Sequence, residues 1–198
     1  MRSASFELGI GIGTGIGVAL VGYRGTGKSS VGKLLARRLG RDFADSDAEL
    51  EIRTNRTVAE IFSEDGELAF RDREEQVILD LIESGSGLVL ATGGGAILRI
   101  RTREALKRHG VVVWLTAPAE ELASRIVADR RGLASRPSLT AAGTVGEIEE
   151  VLRTRTPLYA EIANLTIDTV GKSAGQVVDL IVQGWPGASR LVTGEVQE

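Results

Sequence analysis

Gly22-Tyr23-Arg24-Gly25-Thr26-Gly27-Lys28-Ser29 fits the pattern G-x-x-x-x-G-K-[ST] at every defined position. Glycine lets the backbone curl until successive N–H groups point inward and form an anion nest. A helix that follows directly presents its N-terminus, with partial positive charge, to the phosphates. Lys28 is long enough to reach the β- and γ-phosphates, and the Ser29 hydroxyl suits a Mg²⁺ shell. The flanks agree with the motif. Val18-Ala19-Leu20-Val21 is a short apolar run of the kind a buried strand needs. Downstream, Val31, Leu34, Leu35 and Leu39 fall at helical spacing, which predicts a helix over 29–39 stopped by Gly40. A chance match in a Gly-rich chain would not sit between a strand and a helix. The expected nucleotide contacts on this loop are Gly25, Thr26, Gly27, Lys28, Ser29 and Ser30.

A second G-K-S, at Gly171-Lys172-Ser173, also opens a helix. Thr166 stands where its first glycine should be, so the segment reads as an ordinary helix cap.

Moving outward, apolar runs alternate with helical patterns along the chain. Strands are predicted near 41–46, 88–91, 111–115 and 165–167, besides the first. Helices are predicted over 48–53, 57–62, 67–83, 102–109, 118–129, 145–154 and 173–183. Thr57-Val58-Ala59-Glu60 is a capping box. Alternating strands and helices imply an α/β fold, a three-layer α/β/α arrangement around a five-stranded parallel sheet. No composition break divides the chain. Residues 1–17 read as a flexible extension, 18–183 as one domain with a lid near 129–143, and 184–198 as a tail.

The 198 residues suit one domain, and the 42% hydrophobic and 26% charged fractions are ordinary for a globular protein. A net charge of -3 leaves no footprint for nucleic-acid binding. There is no cysteine, which excludes disulfides and thiolate chemistry and agrees with a cytoplasmic location. His109 is the sole histidine, so a carboxylate is the expected general base. The uncharged stretch 8–23 mimics a signal-peptide core, but it is too short and glycine-rich to span a bilayer and runs into the phosphate loop. No membrane partner is expected.

Five further features lie at intervals along the chain. Asp45-Ser46-Asp47 stands where the second strand should end, and open α/β sheets bind ligands at carboxyl ends. These residues also suit a helix N-cap. Phe70-Arg71 precedes Glu74 on a helix, where a surface ion pair is the alternative. Thr92-Gly93-Gly94-Gly95 ends the third strand and would let a ligand approach the backbone, or would form a loose loop. Arg136-Pro137 lies in an irregular segment, and Arg155-Thr156-Pro157-Leu158-Tyr159 is expected after the helix 145–154. Each arginine could equally be a solvated surface charge.

In order, GYRGTGKS, DSD, FRDREE, TGGGA, SRP and RTPLY resemble the shikimate kinase family over nearly the whole chain. The resemblance implies a P-loop fold of the nucleoside monophosphate kinase type, ATP and Mg²⁺ as cofactors, and shikimate as the small-molecule partner of a monomer. It implies that Asp47 contacts the accepting hydroxyl as candidate base. Ser29 and Asp45 would organise Mg²⁺. Arg71 and Arg155 would hold the substrate carboxylate, and Gly93, Gly94 and Gly95 would line its pocket. Arg136 would be the lid arginine and Arg125 would stack on adenine. The lid reads Arg136-Pro137-Ser138-Leu139 where the family commonly has R-P-L-L. A gluconate-kinase-like enzyme would share the phosphate loop but would not need two arginines arranged for a carboxylate. A nucleotide-binding regulatory protein would not need Lys28, Ser29, Asp45, Asp47 and Arg136 together.

Overall fold

A strand covered on both faces must be apolar throughout, and Val18, Ala19, Leu20 and Val21 are all fully buried. In the computed structural model, which describes residues 15–84, 87–129 and 145–185, they belong to β1 (Gly17–Val21). β1 is the middle strand of a parallel sheet in the order β2-β3-β1-β4-β5. The others are β2 (Phe43–Asp45), β3 (Val89–Ala91), β4 (Gly110–Thr116) and β5 (Leu165–Asp168). The helices described are α1 (Lys28–Leu39), α2 (Ser46–Thr54), α3 (Val58–Ser84), α4 (Ile100–His109), α5 (Ala119–Ala128), α6 (Val145–Ile162) and α7 (Ala174–Gly184).

Side chains on a strand alternate between faces, and β1 divides the core accordingly. Val18 and Leu20 pack with Leu35 of α1 and with Val177 and Ile181 of α7. Ala19 and Val21 pack on the other face with Ile78 of α3, Leu106 of α4, and Tyr159 and Ile162 of α6. The three-layer α/β/α architecture expected from the sequence is therefore the one observed.

Register positions the site. Leu20 is level with Ala91, and Ala91 is level with Asp45. The carboxyl ends of β1, β2 and β3 thus lie side by side. The phosphate loop, the Asp45-Ser46-Asp47 segment and the triple glycine all leave the sheet at one edge.

Two helices differ from expectation. The short helix opened by the Thr57 box and the longer one after it run as a single span, α3, broken at Gly66, where φ 82 and ψ 170 are not helical. The capping box forms, with the Thr57 N–H donating to Glu60 Oε2 at 2.6 Å and the Glu60 N–H to Thr57 Oγ1 at 3.2 Å. The helix expected to stop at 154 instead continues to Ile162, with Pro157 inside it. Proline removes one N–H donor and crowds a carbonyl one turn back, a cost of about 3 kcal/mol. Burial of Tyr159 and Ile162 against the sheet offsets it. At Gly171-Lys172-Ser173, Ser173 caps α7 and forms a capping box with Gln176, the ordinary helix start expected there. Residues 1–14 of the extension, Arg136 with nearly all of the expected lid, and the tail from 186 onward lie outside the described residues. Among the described residues, no helix is long and apolar enough to cross a membrane.

His109 sits at the opposite end of the sheet from the phosphate loop, because Gly110 pairs with Gly17 at the strand starts. Its Nε2 lies 2.9 Å from the Leu88 carbonyl oxygen, and burial holds its pKa below the ordinary value. The folded state therefore keeps the ring neutral where the unfolded chain would take up a proton. Stability is complete above the unfolded pKa of about 6.5 and falls as pH drops below it, by at most about 1.4 kcal/mol per pH unit. We expect the melting temperature to fall more steeply between about pH 7 and about pH 5 for the wild type than for His109→Gln. Parallel slopes for the two proteins would remove His109 from the pH dependence.

Candidate active site

The loop after β1 curls through two glycines in the left-handed region, Gly25 at φ 84 and Gly27 at φ 88. Side chains rarely adopt this conformation. The Thr26 hydroxyl ties the loop by donating to the Tyr23 carbonyl at 2.8 Å. Lys28 begins α1, and its ammonium donates to the Gly22 and Tyr23 carbonyls, both at 2.8 Å. Those bonds hold a buried cation above the loop that the motif predicts will cradle phosphates. Ser29 and Ser30 stand exposed at the helix start.

Asp45 divides its oxygens between two tasks. Oδ1 caps α2 by accepting from the Asp47 N–H at 3.1 Å, while Oδ2 accepts from the Ser29 hydroxyl at 2.5 Å. The helix-cap alternative is thus realised at Asp45, whose second oxygen reaches the phosphate loop. A hydroxyl and a carboxylate are the hard oxygen donors Mg²⁺ takes when phosphates and water complete its shell, so Ser29 and Asp45 fit that ion. Among the described residues, no cluster of three or more His, Cys, Asp or Glu would hold a metal alone. The fully buried Ser46 hydroxyl accepts from the Gly93 N–H at 3.0 Å and locks the second strand end to the third. Asp47 is buried and faces the same cleft as Lys28.

The triple glycine is closely packed. A Cβ at residue 93 would lie 2.2 Å from Glu74 Oε1 and 2.8 Å from Asp47 Oδ1. A Cβ at residue 95 would lie 2.3 Å from both terminal nitrogens of Arg71. The Gly94 carbonyl accepts twice, from the Tyr159 hydroxyl at 2.5 Å and from Arg155 Nη1 at 3.1 Å. The loose-loop alternative is therefore wrong. Arg155 also stands inside α6 rather than after a helix, and four residues separate it from Tyr159, so one helix face presents both.

Arg71 and Glu74 do form an ion pair, at 2.6 Å, but not on the surface: the Glu74 side chain is 2% exposed and that of Arg71 11%. The Arg71 guanidinium also lies 5.0 Å from the Phe70 ring centre and 5.7 Å from that of Phe62. Burial pushes the Glu74 carboxyl above the usual carboxylate range, against the pull of Arg71 and Arg155. Its Oε1 is buried without a hydrogen-bond partner. Glu74 and Tyr159 were not singled out as site residues in the sequence. The only signals for them were the i, i+3 and i, i+4 spacings from Arg71 and Arg155.

Arg125 of α5 bridges two strand ends. It donates to the Gly25 carbonyl at 3.3 Å, to Thr169 Oγ1 at 2.9 Å, and to Glu121 Oε1 at 2.7 Å. Together these segments enclose a cleft of about 420 Å³ whose walls include Lys28, Ser29, Asp45, Asp47 and Arg125. Cations, paired carboxylates and an anion nest around one space suit phosphoryl transfer to a hydroxyl.

The model of the shikimate kinase family matches residues 24–185. The chain is 44% identical over 166 residues to a shikimate kinase of Symbiobacterium thermophilum, covering 84% of this chain and 94% of that protein. Against a shikimate kinase of Chromobacterium violaceum the figures are 44% over 163 residues, 82% and 86%. Among solved structures, shikimate kinase from Acinetobacter baumannii in complex with shikimate superposes with a TM-score of 0.80 at 38% identity, covering 94% of this chain and 98% of that one. A gluconokinase from Sinorhizobium meliloti, at 19% identity and a TM-score of 0.59, shares the fold alone.

Gly95→Ala tests the packing of the glycine loop. The added methyl displaces the flexible end of Arg71 rather than backbone, so the fold should survive. We expect the KM for the acceptor to rise by about 100-fold, the scale of a small misplacement at a reacting centre, with far less change in the KM for nucleotide. Steady-state kinetics with each substrate varied in turn would measure it, and an unchanged acceptor KM would refute the close fit.

Proposed function

The chain belongs to the shikimate kinase family, and from that premise we propose how its residues divide the work. The reaction transfers the γ-phosphoryl of ATP to the 3-hydroxyl of shikimate, giving ADP and shikimate 3-phosphate. The level carboxyl ends of β1, β2 and β3 support the assignment of roles most strongly. They set Lys28 and Asp47 on one cleft, with the glycine loop packed beside Asp47 and contacted by Arg71 and Arg155.

Arg71 and Arg155 hold the shikimate carboxylate, since guanidinium forks match carboxylates bidentately. Gly93, Gly94 and Gly95 line the pocket for the ring with backbone. Asp47 then meets the 3-hydroxyl, orients it, and takes its proton as the new O–P bond forms and the bond to the leaving β-phosphate oxygen breaks. Phosphoryl transfer runs through a loose transition state, so positioning and charge neutralisation do most of the work. Lys28 supplies charge at the β- and γ-phosphates, and Arg136 supplies it from the lid. Ser29 and Asp45 would hold Mg²⁺, which would supply charge neutralisation at the nucleotide phosphates. Arg125 stacks on adenine. The protein works as a cytoplasmic monomer with shikimate as its small-molecule partner.

Coupled measurement of ADP release with a panel of polyol acids tests the substrate. Shikimate-dependent turnover is expected, and robust turnover of gluconate with none of shikimate would overturn it. Asp47→Asn should keep ATP binding while turnover falls by about 100-fold or more. Wild-type turnover in that variant would take the base role from Asp47.

A further inference from the structure

We propose that Arg24 is an additional catalytic cation that grips the phosphoryl group as it passes from ATP to the acceptor. This deepens the kinase assignment and rests on it. The motif G-x-x-x-x-G-K-[ST] leaves position 24 open, so loop mechanics do not require a guanidinium there.

Three observations meet at Arg24. It lines the same cleft as Lys28, Asp47 and Thr92. Its backbone nitrogen lies 3.4 Å from where a Cβ on Gly94 would stand, so the loop apex leans on the glycine loop, between the nucleotide side and the acceptor side. It is also half-buried yet forms no ion pair or side-chain hydrogen bond among the described residues. The neighbouring arginines differ in this: Arg71 is paired with Glu74, and Arg125 with Glu121. Partial burial of a guanidinium without a carboxylate is costly unless an anion completes it.

The chemistry that completes it is a phosphoryl group. The transition state spreads charge over three equatorial oxygens, and a planar fork meets two of them at once. Lys28 is tied on the loop side by the Gly22 and Tyr23 carbonyls, which leaves the acceptor side to Arg24. The hydroxyl proton still goes to Asp47, and the electron pair of the broken bond leaves with ADP.

Arg24→Met keeps length and removes charge, while Arg24→Lys keeps charge and removes the fork. The wild type is assayed first with ATP and shikimate, and a lack of turnover there would sink the kinase assignment itself. With turnover established, Arg24→Met should lower kcat by about 100-fold or more, the scale of removing one preorganised transition-state donor. The KM for shikimate should stay within about 3-fold, because binding common to ground and transition states is untouched. Arg24→Lys should recover part of the loss, and if the Met variant does not fold, a kcat reduced about 10-fold in Arg24→Lys carries the test. Calorimetry gives a second readout: affinity for shikimate 3-phosphate with ADP present should fall about 10-fold while affinity for shikimate alone is kept. A kcat within about 3-fold of wild type, a loss confined to the KM for ATP, or equal losses for shikimate and its phosphate would each overturn the proposal.

Discussion

Parallel pairing that sets Leu20 level with Ala91, and Ala91 level with Asp45, governs everything above the sheet. A parallel strand shifted by one residue would turn its side chains to the other face. Asp45 would then lose Ser29, and Ser46 would lose the Gly93 N–H. The buried apolar face prevents this slip, because Leu90 and Val89 each belong to a different core layer. Hydrophobic burial far from the cleft thus sets the chemistry within it.

Above that edge, space is limiting. The glycine loop packs against the Glu74 and Asp47 carboxylates at residue 93 and against the paired Arg71 guanidinium at residue 95, where an added methyl would force those side chains to move. The backbone itself therefore forms the wall. Tyr159 and Arg155 hold that wall through one carbonyl oxygen, and Tyr159 is in turn stacked on Trp114 at 5.6 Å. The proline inside α6 is tolerated because this same face is buried.

Charge is arranged as tightly as volume. Glu74 is almost wholly enclosed and raised by burial, and Arg71 is the partner that makes a carboxylate tenable there. A guanidinium carries five N–H donors; Nη1 of Arg71 pairs with Glu74 while Nε and Nη2 reach Glu67, which leaves one N–H on each of Nη1 and Nη2 for a ligand. Asp45 works in the same economical way, capping a helix with one oxygen and meeting Ser29 with the other.

The sequence alone determined the phosphate loop, the polarity of its flanks, the α/β alternation and the helix start at Ser173. These depend on glycine conformations, caps and periodicities within a few neighbouring residues. Only the tertiary structure decided the strand order, the extent of α6 and the closeness of the glycine loop. The same holds for the enlistment of Glu74 and Tyr159. Ser46 reaches Gly93 across 47 residues of chain, Arg155 reaches Gly94 across 61, and Tyr159 reaches it across 65. Local propensity even opposed the outcome at Pro157, where packing against the sheet outweighed a missing N–H. Contacts of that separation leave no periodic trace, because what selects them is the shared volume and charge of side chains that meet only once the sheet is built.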